Sequence, residues 1–122
     1  MGKILVVDDE KNIRDVFKRA LENAGHEVMV AENGVIGQQL YMRNNIDIII
    51  LDIIMPDQEG IETIIKLKAV DSNVKIIAVS GGGMGNAKNY LYNALKLGAR
   101  AVFEKPVNFE ELIKKVNFLL IE

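Results

Sequence analysis

Residues 46–52 read Ile46-Asp47-Ile48-Ile49-Ile50-Leu51-Asp52. From 46 to 51 the run is β-branched and aliphatic with a single polar residue, Asp47, and such a run predicts a strand covered on both faces. It belongs at the centre of a sheet. Shorter runs of similar character predict further strands at residues 4–7, 27–31, 74–79 and 101–103. The segments between them carry helical periodicity. Ile13, Val16, Phe17, Ala20, Leu21 and Ala24 form one stripe, and Gly25 stands where a helix-ending glycine belongs. Asn33-Gly34 predicts a turn before a helix carrying Ile36, Leu40 and Tyr41, and Met55-Pro56 a loop before one carrying Ile61, Ile64, Ile65 and Leu67. Asn86 is placed to cap a helix with Leu91, Ala94 and Leu95 inward and Gly98 at its end. Asn108 and Glu111 have capping-box spacing ahead of Phe109, Leu112, Ile113, Val116 and Leu120. Alternation of buried strands with amphipathic helices predicts an α/β, doubly wound parallel sheet with helices on both faces.

In such a sheet the carboxyl ends of the strands share one edge, where ligands bind. Charged and hydroxyl residues stand at those ends: Asp8-Asp9, Asp52, Ser80 and Lys105. Taken singly, each has a structural explanation. Acids favour helix N-termini, serine often ends strands, and Lys105-Pro106 is an ordinary way to leave a strand. Taken together they do not, because three acids massed at one edge repel one another unless a cation intervenes. The set suits a hard metal ion held by oxygen and a phosphoryl group met by Lys and Ser. Gly81, Gly82, Gly83 and Gly85 add a loop whose amides can approach an anion, although the Gly-Lys-Ser/Thr ending of a Walker loop is absent.

Composition narrows the classes. At 122 residues the chain predicts one domain spanning residues 1–122. Fifteen Lys and Arg against 17 Asp and Glu give a net charge of -2 without a dense basic run, which argues against direct nucleic-acid binding. No cysteine is present, which excludes disulfides and thiol catalysis and agrees with a reducing compartment. No apolar run approaches the roughly 20 residues of a membrane span, so a cytoplasmic location without membrane insertion is expected. The lone histidine, His26, lies between Gly25 and a strand, where a structural role is expected.

These residues closely resemble the receiver domain of two-component response regulators, most like single-domain chemotaxis regulators. The resemblance is carried by Ile4-Leu5-Val6-Val7-Asp8-Asp9-Glu10, Leu51-Asp52-Ile53-Ile54-Met55-Pro56 with Gly60, Ser80, Leu97-Gly98-Ala99 and Phe103-Glu104-Lys105-Pro106. It implies a flavodoxin-like (βα)5 three-layer sandwich with strand order 2-1-3-4-5. It further implies that Asp52 accepts a phosphoryl group, that Asp8, Asp9, Asp52 and the Ile54 carbonyl hold Mg²⁺, that Ser80 and Lys105 contact the phosphoryl oxygens, and that Lys105-Pro106 is cis. Ser80 and Phe103 are the implied switch pair, with Phe103 standing where tyrosine is frequent. The implied phosphodonor is a sensor histidine kinase or a histidine phosphotransfer protein, meeting the outer side of the first helix at Arg14, Asp15 and Lys18. A downstream partner is expected on the face carrying Tyr90, Tyr92, Lys96 and Arg100.

The implied protein is not an enzyme beyond catalysing its own phosphorylation and dephosphorylation. A receiver belonging to a longer regulator with an output domain fits the residues equally. Two readings from other classes fit less well. A haloacid-dehalogenase-like phosphatase needs an acid two residues after the nucleophile, where Ile54 stands, and a flavin carrier needs a phosphate-binding loop after the first strand, where acids stand.

Overall fold

The computed structural model describes residues 1–54, 59–81 and 87–122, with side chains left aside at 59 and 87–90. Five strands, β1 (Lys3–Val7), β2 (Glu27–Ala31), β3 (Ile48–Asp52), β4 (Ile76–Gly81) and β5 (Ala101–Lys105), alternate with five helices. The helices are α1 (Lys11–Asn23), α2 (Gly34–Arg43), α3 (Glu59–Val70), α4 (Ala87–Lys96) and α5 (Phe109–Leu120). The strands form one parallel sheet in the order β2-β1-β3-β4-β5, with β3 at its centre.

Strand alternation sends successive residues to opposite faces, and the core is accordingly double. Leu5, Val7, Ile49, Leu51, Ile76 and Ala78 face α2, α3 and α4, meeting Ile64, Leu67, Leu91 and Ala94. Ile4, Val6, Ile48, Ile50, Ile77 and Val79 face α1 and α5, meeting Phe17, Leu21, Leu112, Val116 and Leu119. Phe17 and Phe109 join the two helices of this layer edge to face, 5.0 Å between ring centroids.

The predicted stripes are wider than the contacts the helices make. Val16 on α1, Ala24 just past its end, Ile65 on α3 and Leu95 on α4 lie at the margins of their stripes and are exposed. On α5 Leu119 is buried, whereas Leu120 is only half-buried. The strands at 46–51 and 74–79 shift toward their carboxyl ends. Just before β3, Asp47 bonds Lys3 twice: its N–H donates to the Lys3 carbonyl and its carboxylate accepts the Lys3 N–H, each at 2.8 Å.

Local signals hold where they can be followed. Gly25 and Gly98 take φ of 96° and 113°, which favours glycine after a helix. Asn33 accepts the Ile36 N–H and Asn108 the Glu111 N–H, capping α2 and α5. The expected cap Asn86, the Met55-Pro56 loop and glycines 82, 83 and 85 lie outside the described residues. His26 is structural and buried: Nδ1 accepts the Gly2 N–H at 3.1 Å, while Nε2 lies 3.0 Å from Asn117 Oδ1 on α5.

Gly60 seats α3 against the strand end that carries Asp52. A Cβ at Gly60 would lie 2.2 Å from the Ile53 Cα, a backbone atom that cannot swing away. Gly60→Ala should therefore cost about 1–3 kcal/mol through overpacking. Urea unfolding checks this, with an unchanged midpoint contradicting the close approach.

Candidate functional site

Asp8, Asp9, Asp52, Ser80 and Lys105 come to the carboxyl edge of the sheet, as expected. Three of them sit inside strands rather than just beyond: Asp52 ends β3, Lys105 ends β5 and Ser80 is the penultimate residue of β4. Backbone pairing is indifferent to side-chain polarity, and the ladder runs on through Asp52↔Val79, Ser80↔Glu104 and Gly81↔Lys105. Ser80 thus stands one rung beyond Asp52 on the neighbouring strand.

One oxygen from each of Asp8, Asp9 and Asp52 lies within 4.8 Å of the others, an arrangement able to hold a metal ion. Asp8 and Asp52 are buried and Asp9 is exposed. Lys105 Nζ donates to Asp8 Oδ2 at 2.9 Å and stands 3.6 Å from Asp52 Oδ2. The remaining oxygens of the buried acids accept backbone N–H groups. Asp8 Oδ1 takes that of Glu10 at 2.9 Å, and Asp52 Oδ1 that of Ile54 at 3.1 Å. Lys105–Pro106 is the cis peptide bond.

Burial pushes the Asp52 carboxyl up to about 7; Lys105 opposes the rise, and the charges of Asp8 and Asp9 add to it. Burial works against the Lys105 ammonium as well, but its bond to Asp8 and the charges of Asp52 and Asp8 outweigh that and raise it. An acid poorly solvated in its ionised form, beside two more acids, is a site short of positive charge. Ser80 Oγ is fully buried and has no hydrogen-bond partner among the described residues. A buried hydroxyl left without a partner is costly and suits the oxygen of a ligand.

Two expectations are corrected. Phe103 is not placed to respond to Ser80. In β5, Ala101 and Phe103 belong to the core facing α1 and α5, while Val102 packs with the core facing α3 and α4. Ser80 follows Ala78 by two residues and shares its face, opposite to Phe103. Phe103 lines an open recess of 410 Å³ with Glu111, Lys114, Lys115 and Phe118. The residue on the Ser80 side of β5 is Val102, which shares a face with Glu104, the rung partner of Ser80. Arg14 is likewise not on the outer side of α1. It is half-buried, and its guanidinium donates to the Asp8 carbonyl at 2.8 Å.

A family model described as "Response regulator receiver domain" matches residues 4–117. The chain belongs to this family. Over 97% of its length the receiver is 34% identical to the transcriptional regulatory protein CusR of Escherichia coli, of which it spans 51%. It is 30% identical to the chemotaxis protein CheY of Bacillus subtilis, 94% of each chain being covered. A receiver-domain crystal structure from Clostridium thermocellum matches with a TM-score of 0.89 at 31% identity, over 98% of this chain and 94% of that one. The chain spans about half or less of the length of longer relatives such as CusR. Phosphorylation chemistry is the role of this family, and receivers are signalling domains rather than conventional enzymes.

The raised Asp52 has a consequence for stability in the metal-free receiver. Its folded value of about 7 lies above the ordinary 3.8, so between these values the folded state holds more proton than the unfolded chain. Stability therefore falls as pH rises through this window. Asp52→Asn should be more stable than the parent at pH 8, on the order of 4 kcal/mol, and nearly equal to it at about pH 3. Thermal melts in chelator at both pH values measure the difference; equal stabilities at pH 8 would contradict the assigned burial.

Proposed function

We propose that Asp52 is the phosphoacceptor of this receiver, with a histidine-bound or small acyl phosphate as donor. The observation that carries the reading is the buried carboxylate flanked by Lys105, by two further acids and by the unpartnered Ser80 hydroxyl. An Asp52 carboxylate oxygen forms the O–P bond as the P–N bond to the donor imidazole breaks, and the imidazole leaves with the electron pair. The reaction needs Asp52 ionised, and Lys105 favours that form. The Ile54 N–H holds Oδ1 and so orients the carboxylate.

Asp8, Asp9 and Asp52, with the Ile54 carbonyl, are the groups that would hold Mg²⁺. The cluster of three acids, one oxygen of each within 4.8 Å of the others, fits a hard divalent cation. Bound there, Mg²⁺ supplies positive charge to the oxygens of the transferring group. Lys105 moves from carboxylate to phosphoryl oxygen as the negative charge moves, and Ser80 donates its hydroxyl to another. Exposed Ile54, two residues beyond Asp52, covers part of the approach used by attacking water.

The functional unit we infer is residues 1–122 as one receiver, served by a sensor histidine kinase or a histidine phosphotransfer protein in the cytoplasm. No helix among the described residues is long and apolar enough to cross a membrane. A downstream partner would find on α4 the exposed Tyr92 with the Lys96 ammonium 4.7 Å from its ring centroid, whereas Arg100 is engaged by Glu122 at 2.6 Å. Direct nucleic-acid contact is not part of the reading.

Incubation with acetyl phosphate and Mg²⁺, followed by intact mass, should show one added phosphoryl group on the parent and none on Asp52→Asn. Lys105→Met should slow labelling by about 100-fold, the scale expected when one preorganised charge contact is lost. Full labelling of Asp52→Asn would place the chemistry on another residue.

A further inference from the structure

The three acids differ in what holds them. Asp8 is fixed by Lys105 and the Glu10 N–H, and Asp52 by the Ile54 N–H with Lys105 nearby. Asp9 is exposed, and among the described residues its carboxylate has neither hydrogen bond nor ion pair. Its direction is therefore set by the backbone from which it leaves.

That backbone is closed into a ring by one side chain. Asp8 Oδ1 accepts the Glu10 N–H at 2.9 Å, and the Glu10 carbonyl accepts the Arg14 N–H at 3.1 Å. Arg14 Nη1 then reaches back to the Asp8 carbonyl at 2.8 Å. The Glu10 side chain at the head of α1 makes no capping bond, so it does not steady the turn. β1 ends at Val7 and the Asp8 N–H still bonds the Ala31 carbonyl at 3.1 Å, whereas the Asp8 carbonyl belongs to the peptide that leads into Asp9.

We propose that Arg14 is a positioning residue for the acid cluster: by holding the Asp8–Asp9 peptide it aims Asp9 at the other two carboxylates. This rests on reading the three acids as a divalent-cation site. Arg14 acts through geometry, since the charges that weigh most on Asp52 are Lys105, Asp8 and Asp9. A guanidinium suits the task because it stays charged and is rigid in its donor geometry.

The test is a Mg²⁺ titration followed by amide NMR shifts on the parent, Arg14→Ala, Arg14→Lys, Asp9→Ala and the Arg14→Ala/Asp9→Ala double variant. Arg14→Ala should weaken Mg²⁺ binding roughly 10-fold, as loss of a group that orients a ligand does. Arg14→Lys should recover part of this through its single ammonium. With Asp9 absent, Arg14→Ala should cause no further loss, because coupled residues are non-additive. Parent-like affinity in Arg14→Ala, or equal weakening with and without Asp9, would overturn the role given to Arg14. A parent that shows no saturable Mg²⁺ response would instead remove the cation site itself, and this proposal with it.

Discussion

Lys105 extends from an edge strand past β4 to reach carboxylates just beyond β1 and at the end of β3, its stem running 3.9 Å from where a Cβ on Gly81 would lie. Its ammonium meets Asp8 at 2.9 Å and Asp52 at 3.6 Å. Two buried acids at neighbouring strand ends would otherwise repel each other in surroundings that solvate charge poorly. One cation for three acids still leaves the pocket negative. That deficit makes the site receptive to a divalent ion, and it adds to the rise that burial imposes on the Asp52 carboxyl against the pull of Lys105. The strand order is what permits the contact, since only parallel strands bring every carboxyl end to one edge.

The rest of the molecule supplies rigidity. The residues of β3 are buried along the whole strand, and both faces of the sheet are covered, so the Asp52 backbone has little room to move. Gly60 lets α3 approach Ile53 closely, and Arg14 fixes the turn after β1. A charged cluster that is costly to hold therefore rests on one of the best-packed parts of the protein.

Much of this was legible in residue order. Continuous apolar runs marked the strands because burial on both faces removes alternation, and Gly25 and Gly98 marked helix ends because they need positive φ. The acids and Lys105 were legible because parallel topology converts strand ends into a common edge. Strand ends were less so, since the ladder continues through polar residues. Side-chain reach was hidden altogether. Arg14 looks like a solvated charge on a helix until its bond to Asp8 is seen, and His26 gives no sign of its link to Asn117, 91 positions away. Phe103 is a different case: it stands two residues before Lys105 and shares its side of β5, whereas Ser80 pairs with Glu104, and this register between β4 and β5 is set by the fold rather than by the motif.

The most direct test of the shared ammonium is a carboxyl ¹³C titration of Asp52 in the metal-free protein, beside Lys105→Met. An apparent pKa of about 7 in the parent, moving higher when the ammonium is removed, is the expected result. An ordinary carboxylate value in the parent, or no change on loss of Lys105, would contradict the account of the site.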